Sequence, residues 1–214
     1  MAQRRSPGSQ FLPMLSRDDA KRVFTDKIGT PIALMMGRLG ISPNGLTVFG
    51  VVIAGSAAYL ASIGQLWGAG AILLFSSVFD LFDGALARAT GRVSSFGALL
   101  DSSIDRVSEA VVLLGLLAYY LARDDEIGVI LVYIALPASF MVSYVWARSE
   151  GLGIANSVGV MTRTERVMLM VGGLVAGHWA PTVLLVVLGV MAALAAITAG
   201  HRLLHASSTF RRSK

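Results

Sequence analysis

"DLFDGALARATGRVSSFGALLDSSIDR", residues 80–106, carries four aspartates, Asp80, Asp83, Asp101 and Asp105, between two long apolar runs. Before it stands "WGAGAILLFSSVF" (67–79); soon after it comes "AVVLLGLLAYYLA" (110–122). Carboxylates are most costly in apolar surroundings, and ionisable residues there mark function by default. The pairs have helical spacing. Asp80 and Asp83 stand at i, i+3 and Asp101 and Asp105 at i, i+4, so each pair shares a face. The loop "ATGRVSS" lets the two helices run antiparallel and the pairs converge. Four converging carboxylates need compensating positive charge. Arg88 and Arg106 are near in sequence, and hard oxygen ligands also suit Mg²⁺, Mn²⁺ or Ca²⁺.

The rest of the chain reads as membrane protein. Of 214 residues, 55% are hydrophobic and 14% charged, against about 25% charged in soluble domains. The mean hydropathy is +0.69. The net charge is +5, but the basic residues lie between and outside the apolar runs. Anionic headgroups of a lipid bilayer and phosphate-bearing substrates are the expected partners, and no nucleic acid. With no cysteine, disulfides and thiolate chemistry are excluded. The first ten residues, "MAQRRSPGSQ", lead into no cleavable apolar stretch, so no signal peptide is expected.

Residues 1–15 read as a flexible basic leader and 16–40 as an interfacial amphipathic segment. Ser16 caps a short helix there, Ala20, Val23, Phe24 and Ile28 share its apolar face, and Lys21, Arg22 and Lys27 reach the headgroups. Residues 41–207 read as a domain of six transmembrane helices, over roughly 44–63, 66–90, 95–122, 127–148, 164–180 and 182–205, and 208–214 as a basic cytoplasmic tail. On the side of the bilayer opposite the amino terminus, the loops hold only Arg123, beside Asp124, Asp125 and Glu126. The positive-inside rule therefore puts both termini and the aspartate stretch in the cytoplasm. Besides a catalytic site, two readings of the aspartates are a structural Asp–Arg network and the ion site of a cation transporter. A transporter needs polar groups through the whole membrane, and the flanking runs offer little beyond two serines.

The residues at fixed spacing are Asp80-x-x-Asp83-Gly84-x-x-Ala87-Arg88, then eight residues, then Gly97-x-x-x-Asp101-x-x-x-Asp105. This resembles the signature of the CDP-alcohol phosphotransferase family, with every fixed position matched. The resemblance implies an all-α polytopic enzyme of the cell membrane, six helices after an amphipathic leader, forming a homodimer. It implies transfer of the phosphatidyl group of CDP-diacylglycerol to an alcohol, with release of CMP. By the same resemblance Asp80, Asp83 and Asp101 bind Mg²⁺ or Mn²⁺, as two ions, and Asp105 is the general base and also touches metal. Direct attack on phosphorus is expected, because no serine, histidine or cysteine stands at the fixed positions as a nucleophile.

Gly84 and Gly97 allow close approach of backbone or nucleotide, or serve helix packing. Arg88 binds the diphosphate or pairs with a carboxylate, and Ser94 contacts nucleotide or caps a helix. "PNGLT" (43–47) resembles the family's cytidine-holding segment, which adds Asn44 and Thr47 to the CDP-lipid site. "SYVWARSEGLG" (143–153) and "VGVMTRTERVM" (158–168) resemble the branch that makes phosphatidylinositol phosphate. That branch implies inositol 1-phosphate as acceptor, with Ser143, Arg148, Arg163, Arg166 and Arg202 holding its phosphate. Guanidiniums suit that task, though topology alone also places arginines at cytoplasmic helix ends. Trp146 stands where many members of the branch have a basic residue. Phosphatidylglycerophosphate synthesis, or a CDP-archaeol donor, are the alternatives.

Overall fold

A computed structural model of the chain describes residues 42–212 and Met35. The leader 1–15 and, apart from Met35, the amphipathic segment 16–40 lie outside the described residues. Six helices are present among the described residues and no strand. They are α1 (Pro43–Ser62), α2 (Leu66–Ala89), α3 (Ser95–Leu121), α4 (Glu126–Gly151), α5 (Arg163–Gly177) and α6 (Pro181–Arg212). Local chemistry sets their starts. Ser42 accepts the Gly45 N–H at 3.1 Å with Pro43 in the first turn, and Ser94 accepts the Gly97 N–H at 3.0 Å. Asp125 does the same for Gly128 at 2.9 Å. At α5 the Glu165 carboxylate reaches back to the Thr162 N–H at 3.0 Å, which fixes where that helix begins.

Four helices, α1, α2, α4 and α6, are long and apolar enough to cross a membrane. α3 has the length, 27 residues, but Asp101, Asp105, Arg106 and Glu109 charge its first half. α5 has only 15 residues, about 22 Å at 1.5 Å per residue, shorter than the sequence spacing suggests. α6 has 32 residues and runs on past residue 207 to Arg212.

The helices pack as a closed ring in the order α1, α2, α5, α6, α4, α3. Along the axis of the ring, one half is a continuous apolar core drawn from all six helices, with Ala57, Leu73, Leu116, Met170, Leu188 and their neighbours. α1 and α3 approach closely because Gly115 has no side chain: a Cβ there would lie 2.7 Å from the Ala58 Cα and closer still to its carbonyl oxygen. Backbone cannot yield as a side chain can. Gly115→Ala is therefore expected to destabilise by about 1–3 kcal/mol, seen as a lower unfolding midpoint in detergent. An unchanged midpoint would show that α1 and α3 can separate at no cost. Buried polar side chains, among them Thr47, Asp83, Glu109, Arg166 and Arg202, occupy the other half. There the starts of α1, α3 and α5 meet the ends of α2, α4 and α6.

Candidate active site

The four aspartates converge as their spacing predicts. Asp105 lies within electrostatic reach of Asp80, Asp83 and Asp101. Asp83 is buried and accepts the Thr47 hydroxyl at 2.7 Å and the backbone N–H of Gly84. Thr47 thus ties α1 to the motif. Asp80 faces Gly50, where a Cβ would stand 3.2 Å from its Oδ1; only a bare backbone leaves that carboxylate comfortable room.

The compensating charge is not the one the sequence suggests. Arg88 folds back over Gly84, where a Cβ would lie 3.3 Å from its Nη1. Arg106 donates to the Ser102 carbonyl and, at 3.5 Å, to that of Ser143. Among the described residues the cation paired with the aspartates is Arg163, from the first turn of α5. Its Nη2 stands 2.7 Å from Asp80 Oδ2 and 2.8 Å from Asp105 Oδ1. No group of three or more carboxylates or imidazoles among the described residues is arranged to hold a metal ion. The donor set fits one nonetheless: hard carboxylate oxygens around a position already taken by positive charge.

Two cavities open beside this cluster. One, of about 250 Å³, brings Asn44, Thr47, Gly84, Arg88 and Ser94 to a wall shared with Asp83 and Asp101. All five residues expected to bind the CDP-lipid lie here. Ser94 caps α3, one of the two roles considered for it, and also stands in the cavity wall. A Cβ on Gly97 would stand 3.4 Å from Asn44 Oδ1 and 3.1 Å from Ser94 Oγ, so that glycine keeps the wall open.

The second cavity, of about 320 Å³, is lined by Ser143, Arg163, Arg166 and Arg202 together with Asp105 and Trp146. Arg148 is not among them. It lines a separate cavity of about 260 Å³ with Leu203 and Phe210. The reason is rotational: five residues on from Ser143, Arg148 points about 140° away on a helix of 3.6 residues per turn, whereas Trp146 at i+3 stays on the Ser143 face. The arginines that do line the cavity are already engaged. Arg166 is buried and grips Glu109 as a fork, Nε to Oε1 at 2.6 Å and Nη2 to Oε2 at 2.7 Å. Arg202 donates to the carbonyls of Val158 at 2.9 Å and Val142 at 2.8 Å. Its own carbonyl accepts Asn156 Nδ2 at 3.0 Å, which pins the α4–α5 loop to α6.

Glu109 was not anticipated, although its signal was present. It continues the i+4 row of Asp101 and Asp105 and is a lone carboxylate entering an apolar run.

The sequence profile described as CDP-alcohol phosphatidyltransferase matches residues 40–203. Archaetidylinositol phosphate synthase of Methanothermobacter thermautotrophicus is 36% identical over 170 residues, 79% of this chain and 78% of that protein. Phosphatidylinositol phosphate synthase of Mycobacterium marinum is 33% identical over 198 residues, 89% of this chain and 82% of that protein. Among solved structures, phosphatidylinositol phosphate synthase of Mycobacterium tuberculosis with CDP-DAG bound has a TM-score of 0.79 at 33% identity, covering 84% of this chain and 94% of that one. The same enzyme in complex with manganese and citrate gives 0.78 at 33% identity, covering 84% and 88%.

Proposed function

Since the chain belongs to the CDP-alcohol phosphatidyltransferase family, transferases of phospholipid synthesis, we propose that it transfers the phosphatidyl group of CDP-diacylglycerol to inositol 1-phosphate, releasing CMP. The observation that carries this reading is the pair of cavities flanking one turn of α3: Asp101 faces the first and Asp105 the second. The donor enters the first cavity. Asn44 and Thr47 hold its nucleotide end, and Arg88 meets its diphosphate. The acceptor enters the second, with its phosphate near Arg163, Arg166, Arg202 and Ser143. Asp105 stands in that cavity's wall and takes the proton of the attacking hydroxyl. Asp80, Asp83, Asp101 and Asp105 would hold Mg²⁺ or Mn²⁺, as two ions, which neutralise charge on the pyrophosphate when bound.

In this reading α3 and α5 cross the bilayer with the other four helices, since the ring places each between helices that span. The site and both termini face the cytoplasm across the plasma membrane, and the chain works as a homodimer. The relatives' names differ in the lipid and agree on inositol phosphate, which supports the acceptor more firmly than the tails and keeps CDP-archaeol as a second donor.

The test is a membrane assay with radiolabelled CDP-diacylglycerol or CDP-archaeol and four acceptors: inositol 1-phosphate, glycerol 3-phosphate, inositol and serine. Labelled lipid and CMP are expected with inositol 1-phosphate. Turnover should stop in excess EDTA and return with Mg²⁺ or Mn²⁺. Faster turnover with glycerol 3-phosphate would move the protein to phosphatidylglycerophosphate synthesis. Undiminished turnover in EDTA would remove the metal.

A further inference from the structure

Arg163 belongs to two places at once. It lines the cavity assigned to the acceptor, and one of its nitrogens bridges Asp80 and Asp105 of the aspartate cluster. We propose that Arg163 is a counter-ion shared between the two sites: it neutralises Asp80 and Asp105 while the cavity holds no phosphate, and turns to a phosphomonoester there when a divalent cation takes over the carboxylates. Cation and phosphomonoester then bind cooperatively. This rests on the metal and acceptor roles proposed above.

Three observations single out this residue. The first is freedom to move. The Arg163 side chain is 34% exposed, whereas that of Arg166 is 1% exposed and locked in its fork with Glu109. Arg202 is buried and held by Nε and Nη1 to two backbone carbonyls. The second is an unmet donor: the Arg163 Nε is buried with no hydrogen-bond partner. A buried unpaired donor is costly, and an anion in the adjoining cavity would satisfy it. The third is a fixed pivot. Arg163 is the first residue of α5, and the contact of Glu165 with the Thr162 N–H holds that helix start in place. A change of partner therefore needs rotation of the side chain and no refolding.

The electrostatics give the sign. A divalent cation must displace the guanidinium from two carboxylates, which lowers its apparent affinity. A dianionic phosphate offers the displaced guanidinium a partner of equal strength and removes that penalty. Linkage makes the effect reciprocal, so the cation must tighten phosphomonoester binding by the same factor.

Purified full-length protein in nanodiscs is titrated with Mn²⁺, and free Mn²⁺ is read by electron paramagnetic resonance. The titration is repeated with saturating inositol 1-phosphate, and with inositol as the control lacking phosphate. Protein-free samples correct for Mn²⁺ bound by the phosphate itself. In the unaltered protein, inositol 1-phosphate should tighten Mn²⁺ binding about tenfold, within the usual range of coupling between sites, and inositol should not. Arg163→Gln should bind Mn²⁺ more tightly than the unaltered protein without any additive, and inositol 1-phosphate should then change nothing. Mn²⁺ affinity indifferent to inositol 1-phosphate in the unaltered protein would overturn the shared counter-ion and leave the metal site standing. That arm does not depend on how the variant folds. Weaker Mn²⁺ binding in Arg163→Gln would overturn it too, and no Mn²⁺ binding at all would overturn the metal reading with it.

Discussion

Asp105→Asn should lower turnover by about 10²- to 10⁴-fold, the range a positioned general base supplies, with the protein still inserted and folded. The substitution keeps the size of the side chain and removes its ability to take a proton. It also removes one of two anionic partners of Arg163; Asp80 remains at 2.7 Å, so no cation is stranded. The first cavity does not include Asp105, but Asp105 is also a proposed metal ligand. Mn²⁺ affinity is therefore compared in the two proteins, and a rate loss at saturating metal assigns the proton transfer. The measurement is initial-rate CMP release under saturating substrates, beside an unfolding midpoint. A loss smaller than about tenfold would show that another group accepts the proton.

Arg166→Ala has the largest expected effect on stability. It leaves Glu109 charged and buried without its partner, and breaking such a pair costs about 3–5 kcal/mol. The side chains are 1% and 4% exposed, so solvent screening offers little relief. The double variant Glu109→Leu/Arg166→Met should recover most of the loss, because a buried ion pair can be replaced by apolar groups of similar volume at little cost. Unfolding midpoints of the three proteins decide this. The double variant also separates Arg166's two jobs. If it is stable and KM for inositol 1-phosphate is raised about tenfold or more while KM for the CDP-lipid is not, Arg166 binds the acceptor besides holding Glu109. If neither KM moves, its task is structural.

The helix starts and the convergence of the aspartates were legible because each rests on residues within one turn of each other. Ser42 and Ser94 cap at i+3, and the aspartate pairs recur at i+3 and i+4. The partner of those aspartates was not legible. Arg163 lies 83 residues beyond Asp80, and only the ring, which sets α5 beside α2, brings them together. Nearby Arg88 and Arg106 looked better placed, and both turned elsewhere. Arg148 lies apart from the other arginines for a different reason: a short motif gives residue identity but not helical phase, and phase decides which wall a side chain reaches. The shortness of α5 was hidden because its apolar run continues in sequence through His178 to Ala180, past the point where the helix ends.

The two cavities have a consequence for steady-state kinetics. In the reading proposed above each substrate has its own chamber, one on either side of the aspartates, so that neither need depart before the other arrives. Reciprocal plots of rate at several fixed concentrations of the second substrate should therefore intersect, the mark of a ternary complex, and not run parallel as a double-displacement route would make them. Inhibition by CMP should be competitive against the lipid donor and should leave the acceptor's access untouched, because the leaving nucleotide lingers in the chamber it came in by.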